Sequence, residues 1–63
     1  MKYLVANVGD LVLVEDDRSG RRHLAIIVCK KELHVNYPYY HIQTVSGGFR
    51  WTVEPPYLLD IFN

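Results

Sequence analysis

The chain has no way to staple itself covalently: Cys29 is its one cysteine, so an internal disulfide is excluded. It also has no surplus of either charge, with seven basic residues against seven acidic. Nucleic-acid binding ordinarily draws on a basic excess, so net charge alone gives no pull on a phosphate backbone. Long apolar runs are missing as well. The longest, Leu24–Cys29, has six residues, whereas a bilayer span takes about 20. The N-terminus lacks the basic start, apolar centre and small-residue exit of a signal peptide. Together these absences lead to the expectation of a soluble protein in a reducing cytoplasm, with no membrane partner.

What remains is a chain of 63 residues, 49% hydrophobic and 22% charged, which is the balance of a globular domain. A chain this short buries only about 60% of the surface its unfolded form exposes. Its core is expected to supply a net stability of roughly 3–5 kcal/mol. We expect one domain over 1–63, with Met1–Asn7 as a lead-in or an extra strand.

Period-two patterns dominate. Val8–Glu15 reads as a first strand entered through the permissive Gly9-Asp10, with apolar residues on both faces. Val8, Val12 and Val14 share one register. Asp16–Arg22 is a polar loop with Ser19-Gly20 at its tip. His23–Lys30 is a β-branched second strand. Asn36 and Pro38 mark Lys31–Pro38 as a loop, and Tyr39–Val45 is the third strand. Ser46-Gly47-Gly48 is a tight hairpin connection, since paired glycines accept the positive φ such turns need. Phe49–Glu54 then alternates strictly, with Phe49, Trp51 and Val53 on one face. Pro55-Pro56 ends that strand, Tyr57-Leu58 completes one helical turn, and Leu59–Phe62 is a short last strand. Five short strands without a three-turn helix predict an all-β fold: a small five-stranded barrel with a one-turn 3₁₀ helix before the last strand.

This order resembles an SH3-like barrel. Gly9-Asp10-Leu11-Val12-Leu13-Val14 resembles the Gly-Asp-x-Val-x-Val opening of KOW, Tudor-like and related domains. Gly48–Ile61, with its glycine hairpin and Val-x-Pro-x-Tyr-Leu turn, is similar to the closing segment of short phage-encoded SH3-like proteins. The likeness in layout covers Val8 to Ile61. It implies a binding module rather than an enzyme, acting in the host cytoplasm if the chain is viral, and it leaves the ligand open.

Five tyrosines and one tryptophan are the feature that invites a functional reading. Trp51 and Pro55-Pro-Tyr57 resemble the tryptophan and Pro-x-x-Tyr turn of a polyproline-binding groove, although no Ala-Leu-Tyr-Asp-Tyr-like stretch follows the first strand. Tyr37, Tyr39, Trp51 and Tyr57 are therefore the candidate ligand-binding surface. Flat rings suit a stiff extended peptide, a stacked base or a methylated ammonium. Against this, a tiny barrel needs bulky residues to fill it, and Trp51 and Tyr40 read first as core. Arg18, Arg21 and Arg22, with Lys30 and Lys31, form the most basic region and are a possible contact for an acidic partner or for phosphate. Glu15, Asp16 and Asp17 lie beside them and cancel much of that field. Cys29 with His23, His34 and His41 matches no zinc-ligand spacing, and Cys29 lacks a paired base, so neither a metal, a cofactor nor a catalytic residue is expected. A protein or peptide partner is the leading expectation. Nucleic acid is the second, and self-assembly into a homo-oligomer through an uncovered strand or the apolar N-terminus is the third.

Overall fold

The computed structural model describes residues 3–34 and 37–62, with side chains up to residue 32 in the first of these stretches. Its elements are β1 (Leu11–Glu15), β2 (Arg22–His34), β3 (Tyr37–Thr44), β4 (Arg50–Val53), a 3₁₀ turn (Pro55–Tyr57) and β5 (Leu58–Ile61). All ladders are antiparallel, and the strands form one sheet in the order β4-β3-β2-β1-β5. The protein is all-β, and this layout is compatible with a small SH3-like fold. The ladders run from β4 to β5 without one that joins those two among the described residues. No helix among the described residues is long and apolar enough to cross a membrane.

One face of the sheet carries the core. Val12 and Val14 of β1, Ala25 and Ile27 of β2, Tyr40 and Ile42 of β3, Val53 of β4 and Leu58 of β5 form a single buried cluster. A flat sheet of one layer would leave that face wet. Val53 and Leu58 stand on the two end strands yet both belong to that cluster, so all five strands contribute to one core. Tyr40 is the largest fully buried side chain. Its hydroxyl accepts a hydrogen bond from the Ala6 amide at 3.2 Å, so this buried polar atom is satisfied. Ala6 is itself buried, and residues 3–7 form no strand. The N-terminal segment is thus a lead-in that closes over the core.

Several sequence expectations shift here, each for a local reason. The first strand begins at Leu11 rather than Val8. Asn7–Asp10 is a turn in which the Asp10 carboxylate accepts the Asn7 amide at 2.8 Å and the Asp10 amide donates back to the Asn7 carbonyl at 3.0 Å. Gly9 takes φ +94°, which a continuing strand could not hold, and Val8 is left exposed rather than sharing a face with Val12 and Val14. The second strand is longer than expected and overturns the loop assigned to Lys31–Pro38: β2 runs to His34 and β3 starts at Tyr37. Asn36, one of the two loop signals, lies outside the described residues. Pro38, the other, is inside β3 opposite Glu32. It is tolerated because β4 pairs only Tyr40–Gln43, so β3 has a neighbour on one side alone at Pro38.

A register shift between Ile27 and Cys29 leaves Val28 as a bulge and flips the phase of β2. Before it, Ala25 and Ile27 face the core; after it, Lys30 and Glu32 oppose Tyr40 and Pro38. At the far end of β3, Val45–Gly48 connects to β4, with Gly47 at φ +91° and Gly48 at φ +64°. Phe49 precedes β4 and is exposed instead of sharing the face of Trp51 and Val53. Its ring lies over Gly47, where an added Cβ would come within 2.7 Å. The buried Thr44 hydroxyl braces this connection, donating to the Ser46 carbonyl and accepting from the Phe49 amide, each at 2.9 Å. The last strand starts one residue early, at Leu58, because the 3₁₀ turn ends at Tyr57.

Candidate functional site: a groove beside Trp51

Trp51 is paired with Ile42 across the β3–β4 ladder and is packed, half-buried, against the core. One side of its ring meets His23 of β2 edge-on, with centroids 5.4 Å apart and planes at 80°. The rest of it stands in a groove between β4 and the β1–β2 loop. On one side of Trp51 the groove is about 700 Å³ and is lined by Asp16, Asp17, Arg18, Phe49, Arg50 and Thr52. On the other it is about 330 Å³ and is lined by Glu15, Asp17, Thr52, Val53, Glu54 and Tyr57. Trp51, Thr52 and Asp17 belong to both, so the two parts run into each other over the indole.

The loop that makes the far wall is braced by its own atoms. The Asp16 amide donates to the Arg21 carbonyl at 2.8 Å and the Gly20 amide to the Asp16 carbonyl at 2.7 Å. The Asp16 carboxylate accepts the Arg18 amide at 2.9 Å, and Ser19 Oγ accepts the Arg21 amide at 3.2 Å. The bond from the Arg18 amide is the main reason that the Asp16 carboxyl is held below its ordinary value. Gly20 takes φ +73°, which lets the chain turn at the tip. A loop read as merely polar is therefore a shaped wall.

The groove is uneven in charge. The Trp51-to-Tyr57 section carries the carboxylates of Glu15, Asp17 and Glu54 and no basic side chain. The section toward Phe49 balances Asp16 and Asp17 with Arg18 and Arg50. Arg50 is partly engaged, donating through Nε to Gln43 Oε1 at 2.7 Å. Arg22 sits 3.7 Å from Glu15, an exposed pair that weakens that carboxylate's field only modestly.

Of the aromatic residues singled out in the sequence, Trp51 and Tyr57 line one groove. Tyr37 adjoins its Tyr57 end, close enough for Glu54 and Tyr57 to act on its hydroxyl. Its ring meets Tyr3 edge-on at 6.2 Å. The Tyr37 hydroxyl is held above the usual tyrosine value, first by loss of water around it and then by Glu54, Tyr3 and Tyr57. Tyr39 stands apart. It shares the face of β3 opposite Tyr40 with His41, their rings tilted at 5.7 Å. The three arginines do not converge either: all are exposed, but Arg18 alone lines the groove.

The bulge at Val28 separates His23, on the Ala25 and Ile27 side, from Cys29, which pairs with His41 on the other. The side chain of His34 lies outside the described residues. No group of three His, Cys, Asp or Glu side chains among the described residues is placed to hold a metal ion. Sequence reasoning missed Glu15, Asp17, Thr52 and Glu54 as lining residues. Asp17 was visible only as a charge that cancels Arg18, and no pattern in the chain shows that its loop faces β4. Comparison of the chain with protein-family models, with curated proteins and with solved structures returns no match.

Proposed function

We propose that the protein is a small, non-enzymatic, SH3-like binding module that holds an extended peptide segment of a protein partner in the groove beside Trp51. The observation that carries this reading is the groove itself: a preformed loop wall, a half-buried indole crossing its floor and a tyrosine at one end. Such a surface offers an extended chain rigid rings at little entropic cost. The carboxylates of Glu15, Asp17 and Glu54 select a segment with Lys or Arg at the Tyr57 end, since charge complementarity sets orientation and speeds encounter. The resemblance to short phage-encoded SH3-like proteins makes that partner a host or viral protein of the host cytoplasm.

The test is selection from a random heptapeptide display library on the purified protein. The expected result is enrichment of heptapeptides carrying a basic residue. Their affinity falls at least about tenfold in Asp17→Lys/Glu54→Lys protein, as for close charge pairs at an interface. The charge reversals lie on exposed side chains and leave the core intact. Absence of enrichment, or enriched peptides indifferent to both reversals and to Tyr57→Ala, overturns the reading. Salt-sensitive binding of oligonucleotides at the arginines instead would give the protein a different role.

A further inference from the structure

The geometry points to a specific mode for that ligand: it binds as an added β-strand along the open edge of β4, read through its main chain by Arg50 and Thr52. This rests on the groove being the binding site and goes on to say how the ligand lies in it. The Thr44 amide donates to the Phe49 carbonyl at 2.8 Å, while the Phe49 amide goes to the Thr44 hydroxyl, so this position has the phase of a hydrogen-bonded pair with one of its two ladder bonds formed. The β3–β4 ladder continues without a register shift through Gln43/Arg50, Ile42/Trp51, His41/Thr52 and Tyr40/Val53. In an antiparallel ladder bonded and non-bonded pairs alternate. Trp51 and Val53 therefore turn their peptide groups toward β3, and Arg50 and Thr52 turn theirs outward. Among the described residues, neither the Arg50 nor the Thr52 amide has a hydrogen bond outside that ladder.

An exposed row of this kind is a template for another strand, and proteins ordinarily blunt it. β5, at the other end of the sheet, is blunted. Its ladder shifts register between Leu13 and Val14, and the outward Ile61 amide is taken by its neighbour's Asp60 carboxylate at 2.8 Å. β4 has neither device and contains no proline. Thr52, at the middle of this edge, lines both parts of the groove.

The occupant is a single extended segment with a Lys or Arg toward Tyr57. The three carboxylates there call for a cation, and the Asp16–Arg18 loop walls the groove opposite β4. A second copy would have to bring its own β3 and loop with its β4. Main-chain recognition at two residues asks for alternating peptide amides, not for the ring-stacked prolines of a polyproline helix.

The probe is the most enriched heptapeptide from the display selection, synthesised in versions N-methylated at one amide each. On the wild-type protein, it is expected to slow hydrogen exchange at the Arg50 and Thr52 amides by about tenfold or more. N-methylation is expected to weaken binding about tenfold at alternate positions, in line with loss of a main-chain hydrogen bond, and to be tolerated at those between. Thr52→Pro removes the outward donor while sparing the ladder to β3, and is expected to lose the same factor with its melting transition retained. Binding that perturbs Trp51 and Tyr57 but leaves both amides unprotected, with N-methylation tolerated throughout, overturns strand addition and leaves the groove standing. Failure of any heptapeptide to bind brings down both. Protection of the two amides by raising protein concentration alone would make a second copy the occupant and overturn the proposal.

Discussion

At one end of the sheet the Ile61 amide of β5 is taken by Asp60; at the other, the amides of Arg50 and Thr52 on β4 face outward beside the loop wall. Both strands are four residues long, and both are anchored by one buried aliphatic residue, Leu58 in β5 and Val53 in β4. Equal anchoring with unequal edges separates two demands on an end strand. Holding it in place is a matter of apolar burial, which both satisfy. Keeping other chains off it is a matter of where the outward amides go, and only β5 answers that.

The largest expected effect tests the anchors. Leu58→Ala should cost about 2–5 kcal/mol, comparable to the whole stability of roughly 3–5 kcal/mol expected for a domain this small. Urea titration checks it, and a cost below about 1 kcal/mol would show that β5 is held by something other than its core residue. Thr44→Val comes next. It keeps the volume but removes the hydroxyl that ties Ser46 and Phe49, and should cost about 1–2 kcal/mol. Exchange at the β4 amides should rise more than at β1, since the lost bonds hold the start of β4.

Asp60→Ala should move stability by no more than about 1 kcal/mol, because the bond it removes is exposed. Its signature is different: faster exchange at Ile61, whose outward amide loses its acceptor. Exchange at Ile61 unchanged from wild type would show that the register shift alone protects that edge. The smallest effect belongs to the wall of the groove. The Asp16 carboxyl is lowered in the folded protein, so its charge contributes stability above the unfolded value of 3.8 and loses it as pH falls through the lower folded value. Asp16→Asn keeps an acceptor for the Arg18 amide but not the charge. Its urea midpoint should therefore lie below wild type near neutral pH and converge on it as pH falls through the lowered folded value.

The closing stretch of the chain was the most legible part. Gly47-Gly48, the alternation expected over Phe49–Glu54 and the paired prolines each have one local solution, and the structure adopts them except at the ends of that strand, where Phe49 and Glu54 stand outside Arg50–Val53. The region around Lys31–Tyr37 was the least legible. Pro38 is a breaker only where a strand has neighbours on both sides, and the chain does not show where β4 stops. The bulge at Val28 was equally hidden, because β-branched residues run through it without a break in pattern. Trp51 and Tyr57 were visible as candidates. The carboxylates that share their groove were not, since Asp17 and Glu54 lie 37 residues apart in the chain.

By itself the sequence determined the all-β class, the one-turn helix before the last strand and the absence of an internal disulfide, because period-two alternation, paired prolines and a single cysteine act locally. Only the tertiary structure decided which side of each strand is dry, that the Asp16–Arg21 loop stands opposite β4, and that Arg50 and Thr52 hold the outward peptide groups. Those depend on how the strands share one core and on ladder phase. Both are set by contacts between residues far apart in the chain, where one bulge or one hairpin residue reverses every face that follows.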